Sequence, residues 1–246
     1  MTHSIDLNCD VGEGVGNEAG LFPLISSCNI ACGGHAGDPD LMRSLIRLAM
    51  DHGLKIGAHP SYPDREHFGR RSMELPENEL HESLGRQLDA MHGALGACGA
   101  RLHHIKAHGA LYNDLAFKPA LAKQYLDFLD PYRGQVILFS LYGSIFSELA
   151  RLRGFEVWEE GFADRAYRCD GSLVPRSRDG AMLQLPEQVL EQIIAMVREE
   201  RVACEEGWFH PMKVDTVCVH GDTPKALEIL TYLSRKLANA SIHIGR

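Results

Sequence analysis

Asp6, Asn8 and Asp10 occupy every second position of Ile5-Asp6-Leu7-Asn8-Cys9-Asp10. In an extended chain they share one face, and Ile5, Leu7 and Cys9 share the other. The segment 101–108 repeats the pattern, with Leu102, His104, Lys106 and His108 opposed to Ile105 and Ala107. So do Gly57 and His59 against Ile56 and Ala58, and Thr216, Cys218 and His220 against Val217 and Val219. Carboxylates, imidazoles and an ammonium on such faces can move protons at neutral pH and stabilise charge on a carbonyl oxygen. His104 and His108 have the interval of a helical metal pair. On a strand that interval is about 13 Å at ~3.3 Å per residue, so the two cannot hold one ion. His104 is therefore expected deeper in the core and His108 at the functional end. Lys106 on an inward face needs an acid, and Asp10 and Asp222 are available. It reads either as a structural ion pair or as a cation for a carboxylate or oxyanion. Arg165 follows Asp164 directly: the two either pair locally or leave the guanidinium to clamp a substrate carboxylate.

Gly12-Glu13-Gly14-Val15-Gly16 has neither the GxGxxG nor the GxxxxGK[ST] pattern of a phosphate loop and reads as a turn. Gly33-Gly34-His35-Ala36-Gly37-Asp38-Pro39 reads equally as a ligand-binding loop or a turn. The cysteines at 9, 28, 32, 98, 169, 204 and 218 form no CxxC pair and are expected to be the reduced thiols of a cytoplasmic protein. Lys and Arg total 25 against 33 Asp and Glu, a net charge of -8 with no basic run, which argues against nucleic acid and anionic membrane as partners. No stretch approaches the ~20 apolar residues of a membrane span. The first ten residues lack the basic start and apolar run of a signal peptide. A hydrophobic content of 45% excludes a mostly disordered chain.

The elements that must position these groups are seven short apolar runs: Ile5–Asn8, Asn29–Cys32, Lys55–His59, Leu102–Ala107, Val136–Leu141, Phe155–Glu159 and Thr216–His220. Helical patterns lie between them. The clearest is 77–98, where Leu80, Leu84, Leu88, Met91 and Leu95 form one stripe. Pro39 opens a helix over 40–52 behind the N-cap Asp38, with Gly53 at its end. Pro186 opens 187–201, and Pro224 opens 225–238. Strands separated by helices pair in parallel. Seven such units without a composition break predict one α/β domain over 1–246, a seven-stranded parallel β/α barrel; an open doubly wound sheet is the alternative. Barrel sites lie at the carboxyl ends of strands, where Asp10, His59, Lys106, His108, His220 and Asp222 should converge. The irregular stretch 167–184 reads as an active-site loop, and Glu160 through Arg165 as the segment following the sixth strand.

Several segments, in order, resemble the LamB/YcsF family. They are Asp6-Leu-Asn-Cys-Asp-Val-Gly-Glu13, Asn29-Ile-Ala-Cys-Gly-Gly-His35-Ala-Gly-Asp-Pro39, Gly57-Ala-His59-Pro-Ser-Tyr-Pro-Asp64 and Phe68-Gly-Arg-Arg71. His104-Ile-Lys-Ala-His108-Gly-Ala-Leu-Tyr-Asn113, Phe162-Ala-Asp-Arg-Ala-Tyr167 and Val219-His-Gly-Asp-Thr-Pro224 complete the set. The resemblance implies a barrel like those of glycoside hydrolases and polysaccharide deacetylases. It implies a cytoplasmic subunit that, with partner subunits B and C and ATP as co-substrate, opens the lactam 5-oxo-L-proline to L-glutamate. Gly34, Ser61, His67 and Ala107 depart from the family pattern, which has Phe, Gly, Gly and Pro there. With no nucleotide loop in this chain, lactam activation is assigned to the partners. Asp10 or His108 is then expected as general base, Lys106 as oxyanion stabiliser, and Arg165 or His220 as carboxylate holder. Asn8, Glu13, His35, His59, Asp164 and Asp222 complete the pocket. Whether a divalent metal belongs there is open. The alternatives are a metal-dependent deacetylase using Asp10, His59 and His108, or a non-catalytic subunit that presents ligand to partners.

Overall fold

The computed structural model describes residues 2–223 and 225–245. Ten strands lie among them: β1 (His3–Val11), β2 (Ser27–Ala31), β3 (Lys55–His59), β4 (His104–Ile105), β5 (Ile137–Leu141), β6 (Glu156–Phe162), β7 (Arg201–Ala203), β8 (Phe209–Pro211), β9 (Thr216–Cys218) and β10 (Ile242–Ile244). Strands β1 to β6 pair in chain order, all parallel; β9 pairs with β6 and also with β1, which closes the barrel. The seven-stranded barrel expected from the sequence is thus the fold, and the open sheet is not.

Helices α1 (Glu18–Leu21), α2 (Pro39–Asp51), α3 (Glu77–Cys98), α4 (Gly109–Phe117), α5 (Pro119–Leu129), α6 (Ile145–Leu152), α7 (Pro186–Arg198) and α8 (Ala226–Lys236) occupy the connections and the C-terminal region. Asp38 caps α2 as its position suggested, accepting from the backbone N–H of Asp40 and Leu41 at 2.9 Å each. Leu80, Leu84, Leu88, Met91 and Leu95 of α3 are all buried. Helices α7 and α8 stop short of the expected ends, at Arg198 and Lys236. Pro224, expected to open α8, lies outside the described residues.

Three differences from the sequence reading have physical reasons. The antiparallel hairpin β7–β8 and the strand β10, which pairs beside His3–Ile5 of β1, each have three residues per strand, too few for alternation to register. Strand β4 has only two residues, yet the ladder contact extends beyond it. His103 N–H donates to Ile56 O, Lys106 N–H to Ala58 O and His108 N–H to Pro60 O, at 2.8 to 3.0 Å. The alternation of 102–108 survives for that reason. Strand β6 runs to Phe162, so Glu160 sits inside it rather than after it. A carboxylate is tolerated there because Lys106 lies 2.8 Å away.

The outward faces of the strands pack apolar side chains under the helices; Ile5, Leu7 and Cys9 of β1 are all buried. The inward faces of β1, β2 and β4 are polar and hydrogen-bonded, while β5 and β6 also contribute the rings of Phe139, Trp158 and Phe162. At the bottom, Asp6 accepts from Ser27 and Thr216, each at 2.7 Å, with Lys55 at 3.3 Å. One layer up, Asn8 donates to Glu160 and Thr216 and accepts from Asn29. Asn29 in turn accepts at 2.6 Å from His104 Nε2, whose ring stacks on Phe139. His104 is thus deep in the barrel, as strand spacing required. It fits because its neighbour in register is Gly57, where a Cβ would stand 2.0 Å from His104 Nε2.

Burial pushes the pKa of His104 well below the ordinary histidine value. The folded state therefore holds the ring neutral where the unfolded chain protonates it. Stability is complete above the unfolded pKa of about 6.5 and is lost as pH falls below it. Urea unfolding at pH 7, 6 and 5 should show a decline that steepens from about 0.7 kcal/mol over the first unit to about 1.2 kcal/mol over the second for each such histidine. His104→Gln should flatten that slope whatever it does to absolute stability; an unchanged slope would contradict neutral burial.

Candidate active site

Lys106 is 2% exposed, and its ammonium lies 3.0 Å from Asp10, 2.8 Å from Glu160, 3.3 Å from Asn8 Oδ1 and 3.2 Å from Cys218 Sγ. Its donors are committed inside the barrel. Burial alone would lower its pKa, but the Asp10 and Glu160 carboxylates outweigh burial and hold it well above the usual lysine value. Burial would likewise raise the Asp10 carboxyl, yet His59 and Lys106 keep it well below the usual range. Tyr112 donates to the far oxygen of Glu160 at 2.7 Å. Asn29 donates to Asp10 at 2.7 Å. This ion cluster forms the floor of a cavity of about 740 Å³ at the carboxyl ends of the strands.

Four groups meet on one wall of that cavity. His35 Nε2 lies 2.9 Å from Glu13 Oε1, and His108 Nδ1 lies 3.1 Å from the same oxygen. His59 Nε2 is 3.0 Å from His108 Nδ1, 3.4 Å from Asp10 and 3.8 Å from Glu13. His35 stacks flat on His108 at 3.5 Å, and Phe68 meets both rings edge-on. The outer nitrogens of two rings are tied to backbone: His59 Nδ1 to Lys106 O at 2.8 Å, and His108 Nε2 to Phe68 O at 2.9 Å. Burial lowers the pKa of His108, and that of His35 to about 3.

On another wall, Asp164 is fully buried and accepts from the backbone N–H of His220 at 3.0 Å, from His220 Nδ1 at 2.9 Å and from the Thr223 hydroxyl. Burial opposes ionisation of Asp164, but His220 and Thr223 overcome it and lower its pKa. The imidazole is fixed with Nδ1–H on the carboxylate, and His220 lines the cavity. Arg165 does not pair with Asp164. Its side chain is buried, one guanidinium N–H donates to Val174 O at 2.6 Å, and its Nε has no partner. Burial, with Arg176 nearby, lowers its pKa to about 10. An arginine that lines a cavity without a carboxylate of its own is suited to bind an anion from outside.

The residues singled out in the sequence thus divide. Asp10, Glu13, Lys106, His59, His108, Arg165 and His220 line the cavity. Asn8 and Asp164 lie behind it, supporting Glu160 and His220, and His35 backs Glu13. Asp222 does not turn toward Lys106; it is held by Arg70 and Arg176 at the rim. The loop 167–184 supplies Arg168, Asp170, Ser172, Leu173, Pro175, Arg176 and Ser177 to the lining, as its irregularity suggested. Sequence reading missed Glu160 as the second acid on Lys106 and Asp164 as the partner of His220. Two departures from the family pattern explain each other: a Cβ at Gly34 would lie 2.4 Å from Ser61 Oγ and 2.3 Å from Gln87 Oε1, so the hydroxyl at 61 occupies space next to the missing side chain at 34.

Lys106→Met would leave Asp10 and Glu160 buried without their cation. Urea unfolding should register a loss of about 3–5 kcal/mol. Adding Asp10→Asn and Glu160→Gln should recover much of it. A loss below 1 kcal/mol, on the scale of a surface ion pair, would contradict the cluster's role.

The chain matches the profile of the LamB/YcsF family over residues 5–246. It is 42% identical over 245 residues to the 5-oxoprolinase A subunit of Pyrococcus furiosus, covering 98% of this chain and 96% of that protein. It superposes on the crystal structure of a lactam utilization protein from Thermus thermophilus with a TM-score of 0.90 and 35% identity, covering 98% of each chain. A family 4 carbohydrate esterase from Streptomyces lividans shares the fold alone, with a TM-score of 0.50 and 12% identity over 100% of this chain and 92% of that one. Profile, sequence and structure agree that the chain belongs to the LamB/YcsF family.

Proposed function

We propose that this chain acts as the A subunit of an ATP-dependent 5-oxoprolinase and carries the ring-opening site for 5-oxo-L-proline. The observation that carries this reading is the unpaired, buried Arg165 in a cavity that also holds the Asp10, Glu13, His59 and His108 group. A cyclic amide with one carboxylate needs both: an anion anchor and a place to activate water beside the carbonyl. The name of the Pyrococcus relative supports the assignment. In the proposed reaction Arg165 holds the substrate carboxylate. Water at the Glu13, His59 and His108 wall attacks the lactam carbonyl carbon, with Asp10 or His108 accepting its proton. The C–N bond breaks, His220, oriented by Asp164, delivers a proton to the departing ring nitrogen, and the phosphoryl group that ATP placed on the carbonyl oxygen leaves as phosphate when a second water hydrolyses the resulting acyl phosphate to glutamate. Lys106 keeps Asp10 ionised and in place, which replaces the role of free oxyanion cation. No nucleotide loop is present in the sequence, so activation of the amide by ATP is assigned to partner subunits B and C. No described helix is long and apolar enough to cross a membrane.

The chain alone should neither hydrolyse ATP nor form glutamate. With subunits B and C, phosphate and glutamate should appear together. His108→Ala or Asp10→Ala should cut glutamate formation roughly 10²–10⁴-fold, and more than phosphate release. Arg165→Met should act chiefly on KM for 5-oxoproline. Robust ATP hydrolysis by the chain alone would overturn the division of labour. Unchanged glutamate output from the Asp10 and His108 variants would move ring opening off this barrel.

A further inference from the structure

The hydrogen bonds of the Glu13 wall do not close with neutral rings. Phe68 O and Lys106 O can only accept, so His108 Nε2 and His59 Nδ1 must carry the protons there. Their inner nitrogens, His108 Nδ1 and His59 Nε2, then present lone pairs to each other at 3.0 Å. The same lone pairs face Glu13 Oε1 at 3.1 and 3.8 Å. Three acceptors converge on one point without a donor between them. The nearest ammonium, Lys106, is committed to Asp10 and Glu160. The separations 3.0, 3.1 and 3.8 Å bracket the about 3.3–3.4 Å edge of a tetrahedron whose centre is ~2.0–2.1 Å from each ligand. Backbone carbonyls that fix the outer N–H of ligating imidazoles are a recurrent feature of metal centres.

We propose that Glu13, His59 and His108 form a binding site for one divalent transition-metal ion, of which Zn²⁺ is the representative. Two imidazoles and a carboxylate suit such ions, and the cavity in front leaves room for a further ligand. His35 is the positioning residue: stacked on His108 and bonded to Glu13, it holds the carboxylate against the ion. The chemistry such an ion supplies is acidification of a bound water and polarisation of a carbonyl. In the reaction proposed above, such an ion would supply the water activation assigned to this wall, leaving Asp10 as proton acceptor because the His108 lone pair would be on the metal. The metal proposal rests on geometry alone and stands or falls separately from ring opening.

The test is metal content and affinity of the full chain, stripped with a chelator and titrated with Zn²⁺, with Co²⁺ as a spectroscopic stand-in. One equivalent of Zn²⁺ should remain after gel filtration, Tm should rise with Zn²⁺, and Co²⁺ should give visible d–d bands. His59→Ala, His108→Ala and Glu13→Gln should each weaken Zn²⁺ binding by at least about tenfold. His35→Ala should also weaken it and shift the Co²⁺ bands. Circular dichroism identifies any variant that fails to fold, and for these the wild-type stoichiometry and Co²⁺ spectrum decide. Cys169→Ser removes the exposed thiol of a separate Cys169, Cys204 and Glu206 group and should leave the bound equivalent in place. Absence of a bound equivalent and of any Tm rise in the wild type would overturn the proposal and leave a shared proton at this point. Undiminished binding in folded His59→Ala and His108→Ala proteins would overturn it as well. Metal binding without glutamate formation in the reconstituted complex would support this site and count against the ring-opening assignment.

Discussion

A lysine buried between two carboxylates is the constraint on which this barrel depends. Lys106 lies within 3.0 Å of both Asp10 on β1 and Glu160 on β6, so it ties together strands from distant parts of the chain. Removing such an ammonium from water is costly, and the cost is offset only if its donors and the facing carboxylates are all satisfied. Asn8, Asn29, Tyr112 and Cys218 complete that requirement. The interior is therefore a polar network where many parallel barrels pack branched apolar side chains. Register follows from it: a one-residue slip of β1 would turn Asp6, Asn8 and Asp10 outward and leave Lys106 with Glu160 as its one carboxylate partner.

The network also sets the character of the mouth. Lys106 is committed to Asp10 and Glu160, so the side-chain partners of Glu13 are the imidazoles of His35, His108 and His59. Burial keeps His35 and His108 uncharged, so that wall offers lone pairs rather than protons. Across the cavity the polarity is reversed: Arg165 is a buried cation without an internal anion, and Asp164 is used instead to orient His220. In the proposed reaction this electron-rich wall and the guanidinium without a carboxylate partner receive the carbonyl and the carboxylate of one small substrate. Asp222 contributes indirectly, by bridging Arg70 and Arg176 at the rim.

Much of this was legible in the chain. Alternation in 5–10, 55–59, 102–108 and 216–220 identified the inward faces. Strand-end placement brought Asp10, His59, Lys106, His108 and His220 to one cavity. What escaped has a common cause, since it depends on contacts between residues far apart in sequence. Glu160 read as the start of the segment after the sixth strand because nothing nearby in sequence announces its lysine. Asp164 and Arg165 read equally as a local pair or as an acid beside a free guanidinium; what sequence could not show is that the acid turns to His220 and Thr223 and leaves the arginine lining the cavity. The orientation of His59 and His108 depends on carbonyls of Lys106 and Phe68, which no side-chain pattern encodes. Phe68 adopts a left-handed backbone with φ of 56°, uncommon outside glycine and invisible to hydrophobic periodicity. Three-residue strands outside the barrel, such as β7, β8 and β10, are too short to separate from loop.

In the proposed reaction the substrate sits with its carboxylate on Arg165 and its carbonyl toward Glu13, His59 and His108. The most direct test is a crystal structure of this chain with 5-oxo-L-proline, or its product L-glutamate, bound. The predicted result is a carboxylate within hydrogen-bond distance of the Arg165 guanidinium, which has no carboxylate partner of its own and lines the cavity. A ligand bound outside this cavity, for example in the groove between Gly33 and Arg86, with Arg165 untouched, would contradict it.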